Sequence, residues 1–459
     1  MSDCESNLVP TVLVVGMQSS PHTARWINCV RYLGVRIVVF PSVLVDPCPD
    51  LEPFVGVRCR EDVEQLAPGV IGVVSRENVA CAGASRDGEE RVRDTFPSWI
   101  ESRNLPDALA LQDWIAEIRP DLLHSMEFLC GAYLVLEVRR TWPEGRPFPP
   151  WLASSWGGDV FFARQFERHV PILREILCSV DAFQADCNRD VEWALTQGFD
   201  GYRFPPMPAS GGADFSEFPA LEDLTPPSRR KLIVVKGYHG WAGRGVHALL
   251  AIHRVASRLR GFKIVVTNAG PPVVDMVERL RADDGLDIEI ASYLPSNKDA
   301  ILRLASARFA VGYGVADGIA TTLLEAMAVG TFMVQANSCC GNEWITHGRT
   351  GLIVPTDDIV ALSEAILIAA TADSLVDCAL EENRATVEAR WNAKINGPEI
   401  LRGYREIIAG SGDSRRKCRE SSTLRPNASF GRQFLARMFR LRSKVLPRKL
   451  AQRRDRHGR

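Results

Sequence analysis

The stretch DGIATTLLEAMAVG, Asp317 to Gly330, places two carboxylates, Asp317 and Glu325, with seven residues between them. Upstream of it, FAVGYG (Phe309 to Gly314) is a short apolar run of the kind that forms a buried strand. Ala316 to Ala320 is made of small residues and reads as a loop. Thr321 or Thr322 suits an N-cap, and Leu323 to Val329 holds strong helix formers. Gly330 stops that helix, and TFMVQA begins the next strand. Asp317 is therefore predicted in a loop after a strand, and Glu325 in the first turns of the following helix. The carboxyl edge of a parallel sheet is where open α/β folds take ligands. A helix start offers N–H groups and a positive dipole end to a diphosphate. Carboxylates flanking such an anion site accept hydrogen bonds from vicinal hydroxyls, which a nucleotide-sugar carries on both its ribose and its sugar.

This spacing resembles the E-x7-E motif of the group 1, or family 4, retaining glycosyltransferases of the GT-B fold. The downstream stretch CGNEWITHGRTGLIVPTDD, Cys340 to Asp358, is similar to the segment that follows that motif in the family. Asp317 stands where the family usually has Glu, which keeps the charge on a side chain one methylene shorter. The resemblance implies an α/β protein of the GT-B class, with two Rossmann-like domains facing a central cleft. It implies that Glu325 holds the donor ribose, that Asp317 holds donor-sugar hydroxyls, and that Gly318, Ile319, Ala320 and Thr321 line the donor site.

A chain of 459 residues, 46% hydrophobic and 24% charged, has room for two or three domains with sizeable cores. MSDCESNLVPTVLVVGM is acidic with a short apolar run, so no secretory signal is expected. No window holds about 18 uninterrupted apolar residues, so no spanning helix is expected. The 12 cysteines are scattered without a C-x-x-C, which favours reduced thiols over a zinc site. Ser414 to Arg459 carries a formal +14, which leaves −15 on the rest of a chain whose total is −1. A basic tail on an acidic body points to an anionic partner. Phe430, Phe434, Met438, Leu441 and Val445 recur there at helical spacing among arginines. Such a stripe suits an anionic membrane surface and argues against nucleic acid, which needs no apolar face.

TVLVVGM and VRIVVF, separated by a helix, read as the opening βαβ of a doubly wound domain. No G-x-G-x-x-G follows the first strand, so NAD binding has no support. The organisation expected is an acceptor domain over 1–208, a Pro- and Gly-rich linker over 209–230, and a donor domain over 231–385. A helix over 386–410 returns to the first domain, broken or kinked at Gly397-Pro398, and 411–459 is the basic tail.

KGYHGWAGRG (Lys236 to Gly245) resembles the family's segment that brings two cations to the donor diphosphate, here Lys236 and Arg244. Asn268 and Gly270 fall at the family's turn beside the nucleotide. QSSPHTARWIN (Gln18 to Asn28) resembles a motif of bacterial surface-polysaccharide transferases and offers His22 and Arg25 to the cleft. PDLLHSMEF resembles the family's strand and loop near the reacting carbon, with Met126 where many members have His. His124 there reads as a packing residue, and Glu127 as a cleft candidate. SWGGDVF resembles a loop in which Asp159 binds a sugar or acceptor hydroxyl.

The expectation is a metal-independent, retaining hexosyltransferase without cofactor, using a UDP-sugar or GDP-sugar. Its acceptor would be a glycan or lipid-linked glycan in cell-surface polysaccharide or lipopolysaccharide synthesis. The protein would be cytoplasmic, or peripheral at the inner face of the membrane. The alternatives are a nucleotide-sugar epimerase on the same fold and a non-catalytic nucleotide- or glycan-binding protein.

Overall fold

Short apolar strands alternating with helices build two sheets in which every pairing between strands is parallel. The computed structural model describes residues 9–75, 79, 105–291 and 297–410. The first sheet holds β1 (Thr11–Gly16), β2 (Arg36–Pro41), β3 (Phe54–Val57), β4 (Ile71–Val74), β5 (Leu122–Met126), β6 (Trp151–Ser155), β7 (Ala182–Ala185) and β8 (Tyr202–Arg203). Their order is β3-β4-β2-β1-β5-β6-β7-β8. The second holds β9 (Leu232–Lys236), β10 (Lys263–Thr267), β11 (Asp287–Ile290), β12 (Ala307–Gly312), β13 (Phe332–Ala336) and β14 (Gly351–Val354), in the order β11-β10-β9-β12-β13-β14.

Central strands such as β1 and β12 are buried at every position, which is why they read as continuous apolar runs rather than alternating ones. Strand order reverses beside β1 in one sheet and beside β9 in the other, so each has a switch point where loops diverge and leave a crevice.

The segment between the sheets forms three short 3-10 turns, Phe215–Glu217, Leu221–Asp223 and Pro227–Arg229. After the second sheet, the helix Asp373–Arg390 ends at buried Trp391, and a separate helix, Ala393–Gly410, follows. The break thus falls at Trp391–Asn392 and not at Gly397-Pro398; Pro398 lies inside the last helix. The Ala213 amide donates to the Trp391 carbonyl at 2.7 Å and the Ala393 amide to the Ala213 carbonyl at 2.9 Å, so pairing with the inter-sheet segment ends the first helix. The last helix packs on Pro21–Val30 of the first half. A β-carbon on Gly397 would come 2.3 Å from the Cys29 carbonyl oxygen, so only glycine allows that approach.

His124 belongs to this junction. Its ring bonds the Tyr404 hydroxyl through Nδ1 at 3.0 Å and Ser154 Oγ through Nε2 at 2.7 Å, and Trp26 Nε1 donates to the same tyrosine at 2.9 Å. Full burial pushes its pKa from 6.5 down to about 3, so the ring is neutral in the fold. An unfolded chain would protonate His124 below its ordinary pKa, while the folded one would not. Stability is therefore expected to fall as pH drops from 6.5 towards about 3, by up to about 1.4 kcal/mol per pH unit from this group. Urea unfolding across that window should show a shallower pH slope for His124→Asn; an equal slope would contradict a neutral buried ring.

The amphipathic helix expected around Phe430 to Val445, and the rest of the basic tail, lie outside the described residues. No single helix among the described residues is long and apolar enough to cross a membrane.

Candidate active site

The loop leaving β12 carries Asp317 to the mouth of a cavity of about 970 Å³ that both halves line. The helix that follows is Thr321–Ala328, with Val329 as its C-cap and Gly330 left-handed at φ 69°. The Thr331 amide closes back on the Ala326 carbonyl at 2.8 Å and the Gly330 amide on Met327 at 3.3 Å, which explains the glycine stop. The predicted threonine N-cap is corrected here. Ala320 is the capping residue, and no side chain caps the helix. Thr321 and Thr322 are already helical and line the cavity, so the helix start faces the ligand space rather than a local cap.

Glu325 sits one turn in and is 7% exposed. Burial pushes its pKa above 4.5, and the opposing pull of Arg25 and Lys236 favours the carboxylate. Arg25 Nη2, from the helix after β1, lies 3.1 Å from Glu325 Oε1, an ion pair across the two halves. Lys236, the last residue of β9, places Nζ 3.6 Å from Asp317 Oδ2, while the Gly318 amide donates to Asp317 Oδ1 at 3.0 Å. His22 approaches from the first half, with Nδ1 3.5 Å from Thr321 Oγ1 and its ring edge-on to Trp156. Burial, then Arg25, push the His22 pKa from 6.5 down to about 4, so it is a neutral imidazole able to accept a proton or hydrogen bond.

The loop after β6 reaches across to the same point. A β-carbon on Gly157 would lie 3.1 Å from Asp317 Oδ1, and one on Gly158 only 2.9 Å from the Ala316 carbonyl carbon. The Gly-Gly pair is what lets the two halves close on each other around Asp317.

The structure thus brings together Asp317, Glu325, Lys236, His22, Arg25, Ile319, Ala320, Thr321 and Asn268 on one cavity wall system. Gly318 and Gly270 sit in its supporting loops and do not line it. Arg244 is turned onto its own loop, with Nη1 donating to the Gly240 and Gly243 carbonyls at 2.8 Å each.

Two acids expected as acceptor contacts have a different use. Asp159 accepts from the Phe128, Trp156 and Val160 amides and from Ser155 Oγ, at 2.6–3.1 Å, which commits both its oxygens to pinning the β5 and β6 exit loops together. Glu127, itself left-handed at φ 70°, accepts from Ser42 Oγ and the Cys130 and Gly131 amides and caps the π-turn Phe128–Ala132. Both border the cavity, but neither has a carboxylate oxygen free of a bond to the fold.

Asp186, at the carboxyl end of β7, was not among the expected residues. Its Oδ2 accepts from the Gly157 amide at 2.7 Å, and its Oδ1 is buried with no partner among the described residues. Burial drives its pKa well above 3.8, with the neighbouring Asp317 and Asp159 adding to the rise, and this carboxyl group lines the cleft. Its position at the end of VDAFQAD, on the ligand edge of a predicted strand, was the signal available in the sequence.

Comparison with known proteins agrees with this geometry. Residues 230–371 match the family model of glycosyl transferases group 1. No match is found among curated protein sequences. Among solved structures, sucrose-phosphate synthase from Thermosynechococcus elongatus is similar over 87% of this chain and 100% of its own, with 15% identity and a TM-score of 0.64. The UDP-forming α,α-trehalose-phosphate synthase from Burkholderia xenovorans gives 11% identity over 87% of this chain and 99% of its own, with a TM-score of 0.60. HepE from Anabaena, in complex with UDP and glucose, gives 11% identity over 86% of this chain and 100% of its own, with a TM-score of 0.57. The fold is therefore GT-B, and the match to the group 1 glycosyl transferase model falls within its second half.

Proposed function

We propose that this protein transfers a sugar from a UDP-sugar to a glycan or lipid-linked glycan with retention of anomeric configuration. The observation that carries the reading is the placement of Asp317, Lys236 and Glu325 around an uncapped helix start in a cleft that both sheets face. Ribose hydroxyls would take Glu325, displacing Arg25, and the diphosphate would sit on the Thr321–Ala328 helix start. Asp317 would accept from donor-sugar hydroxyls. Lys236 would neutralise the departing diphosphate, with Arg244 joining once it leaves its loop carbonyls, so the charge is met by side chains without a metal. The acceptor would attack from the face on which the diphosphate departs, with its proton passing to the leaving phosphate, and neutral His22 would orient the reacting hydroxyls. UDP is preferred over GDP because HepE is seen in complex with UDP and glucose and the trehalose-phosphate synthase is UDP-forming. The basic segment from Ser414 to Arg459 would hold the protein at the inner face of an anionic membrane, where lipid-linked acceptors of surface polysaccharides are presented.

Calorimetric titration with UDP, GDP and ADP tests the donor site. UDP is expected to bind at least about tenfold more tightly than the others. Binding of none of the three to folded protein would sink the reading. Incubation with a UDP-sugar and no acceptor is expected to release sugar slowly; release of a free epimer as the main product would make the enzyme an epimerase instead.

A further inference from the structure

We propose that Cys187, Cys340 and Glu343 form a binding site for one thiolate-preferring divalent metal ion, of the zinc class, at the junction of the two halves. Cys187 is the N-cap of the helix Asn188–Thr196 in the first half, whereas Cys340 and Glu343 follow β13 in the second. The two sulfurs and a Glu343 oxygen all lie within 4.8 Å of one another. Both cysteines are buried, at 0% and 4% exposure. Tetrahedral zinc, with bonds of about 2.3 Å to sulfur and about 2.1 Å to oxygen, needs ligand atoms about 3.5–3.8 Å apart. Small side-chain rotations supply the difference.

Three further features suit a metal rather than two thiols that happen to touch. Cys340 holds a left-handed backbone at φ 47°, a conformation that strains a non-glycine residue, and in it the sulfur meets the opposite half. Glu343 is oriented by the amide of Asn188, 3.0 Å from each carboxylate oxygen, and by its Nδ2, 2.7 Å from Oε2. Outer-shell bonds of this kind fix a carboxylate ligand and leave it lone pairs for a metal. Asp190 Oδ2 accepts from Cys187 Sγ at 3.6 Å and stands outside the three ligands, so water would take the fourth place. Arg189, which grips Asp190 through two bonds of 2.9 Å, and Arg164 at 4.0 Å balance that acid. The two thiols and Glu343 remain to balance the ion.

Uptake of one divalent ion would form two metal–sulfur bonds and release two protons to solvent, with no change of oxidation state. The site lies behind the cleft rather than in it: Asp186 and Cys339, which line the cleft, immediately precede the two cysteines. A bound ion would therefore fix the spacing of the halves beside Asp317 without entering the chemistry.

The test uses reduced, chelator-stripped full-length protein titrated with Co²⁺ alone. The expected result is one equivalent bound, with visible d–d bands of a tetrahedral ion, near-ultraviolet thiolate charge transfer, and displacement by Zn²⁺. Cys187→Ser and Cys340→Ser should each abolish the spectrum, and Glu343→Gln should weaken binding at least about tenfold. Cys178→Ser, at an exposed cysteine, should leave it unchanged. Should one serine variant misfold, the other and Glu343→Gln carry the test. Absence of one-to-one uptake, uptake unaltered in both serine variants, or formation of a Cys187–Cys340 disulfide in place of uptake would each overturn the proposal. None of these readouts involves sugar transfer, so they stand or fall apart from the proposed activity.

Discussion

Glu325→Ala is expected to weaken UDP binding by at least about 100-fold, because in the proposed donor complex it removes two charge-assisted hydrogen bonds to the ribose. Each such bond is worth about 1.5–3 kcal/mol, and about 1.4 kcal/mol is a factor of ten. In free protein the same carboxylate is the partner of Arg25 at 3.1 Å, so ribose and guanidinium compete for it. Arg25→Ala separates the two roles. It frees Glu325 from a competitor, but it also removes the nearest charge that offsets burial. The pKa of Glu325, already above 4.5, then moves further up. The sign follows directly: binding needs the ionised carboxylate and is lost as pH falls through that raised pKa. Calorimetric titration of UDP against pH should therefore show loss of affinity at higher pH in Arg25→Ala than in the parent protein. Unfolding runs the opposite way, since a buried acid with a raised pKa lowers stability once pH rises above its unfolded value. An unchanged UDP affinity in Glu325→Ala would mean that the nucleotide, if bound, lies elsewhere.

The loop-and-helix unit from Asp317 to Gly330 was legible because each local signal agreed: an apolar strand, small loop residues, helix formers and a glycine stop. Only the cap was misread. A threonine at a helix start is a good cap in isolation, yet here Thr321 and Thr322 enter the helix and its start faces a cavity. Strands β3 and β4 escaped notice because each has four residues, and half of β3 is exposed. Asp159 and Glu127 do border the cavity as expected, but they also hold the fold, in a way that sequence cannot display. Their neighbours along the chain look like cleft loops, but their oxygens are taken by amides up to 31 positions away. Asp186 and the thiol junction depend on contacts between halves, such as Asn188 to Glu343 across 155 positions, which no local pattern encodes. The shorter acid at position 317 also gains a reason only in three dimensions. With Oδ1 already 3.1 Å from where a Gly157 β-carbon would stand, the site is closed tightly around an aspartate.

Lys236→Ala is expected to lower kcat by about 10²–10³ while changing UDP affinity by less than about tenfold. The asymmetry follows from where charge appears. In the proposed complex UDP brings a diphosphate that is already charged when bound and would be shared with the helix start, so one cation contributes modestly to binding. In the transition state the bond to the sugar breaks, and negative charge builds on the oxygen nearest the reacting carbon. A fixed cation aimed there is worth about 2.7–4 kcal/mol, and only an interaction stronger in the transition state raises kcat. Lys236 is suited to this because it ends a buried strand and is one-third exposed, so its ammonium reaches the cleft from a rigid base. Its pairing with Asp317 at 3.6 Å makes the two interdependent. Asp317→Asn should lose activity of similar size, through the donor-sugar hydroxyls and through a lysine no longer held in place. Single-turnover rates for Lys236→Ala, Asp317→Asn and the double variant form the check, with the double expected to lose far less than the product of the two single losses. Fully multiplicative losses would separate the pair, leaving Lys236 to act on the diphosphate alone and Asp317 on the sugar alone. Lys236→Arg should recover part of kcat, since charge is retained, but not all of it, since a planar guanidinium cannot reproduce a compact ammonium beside Asp317.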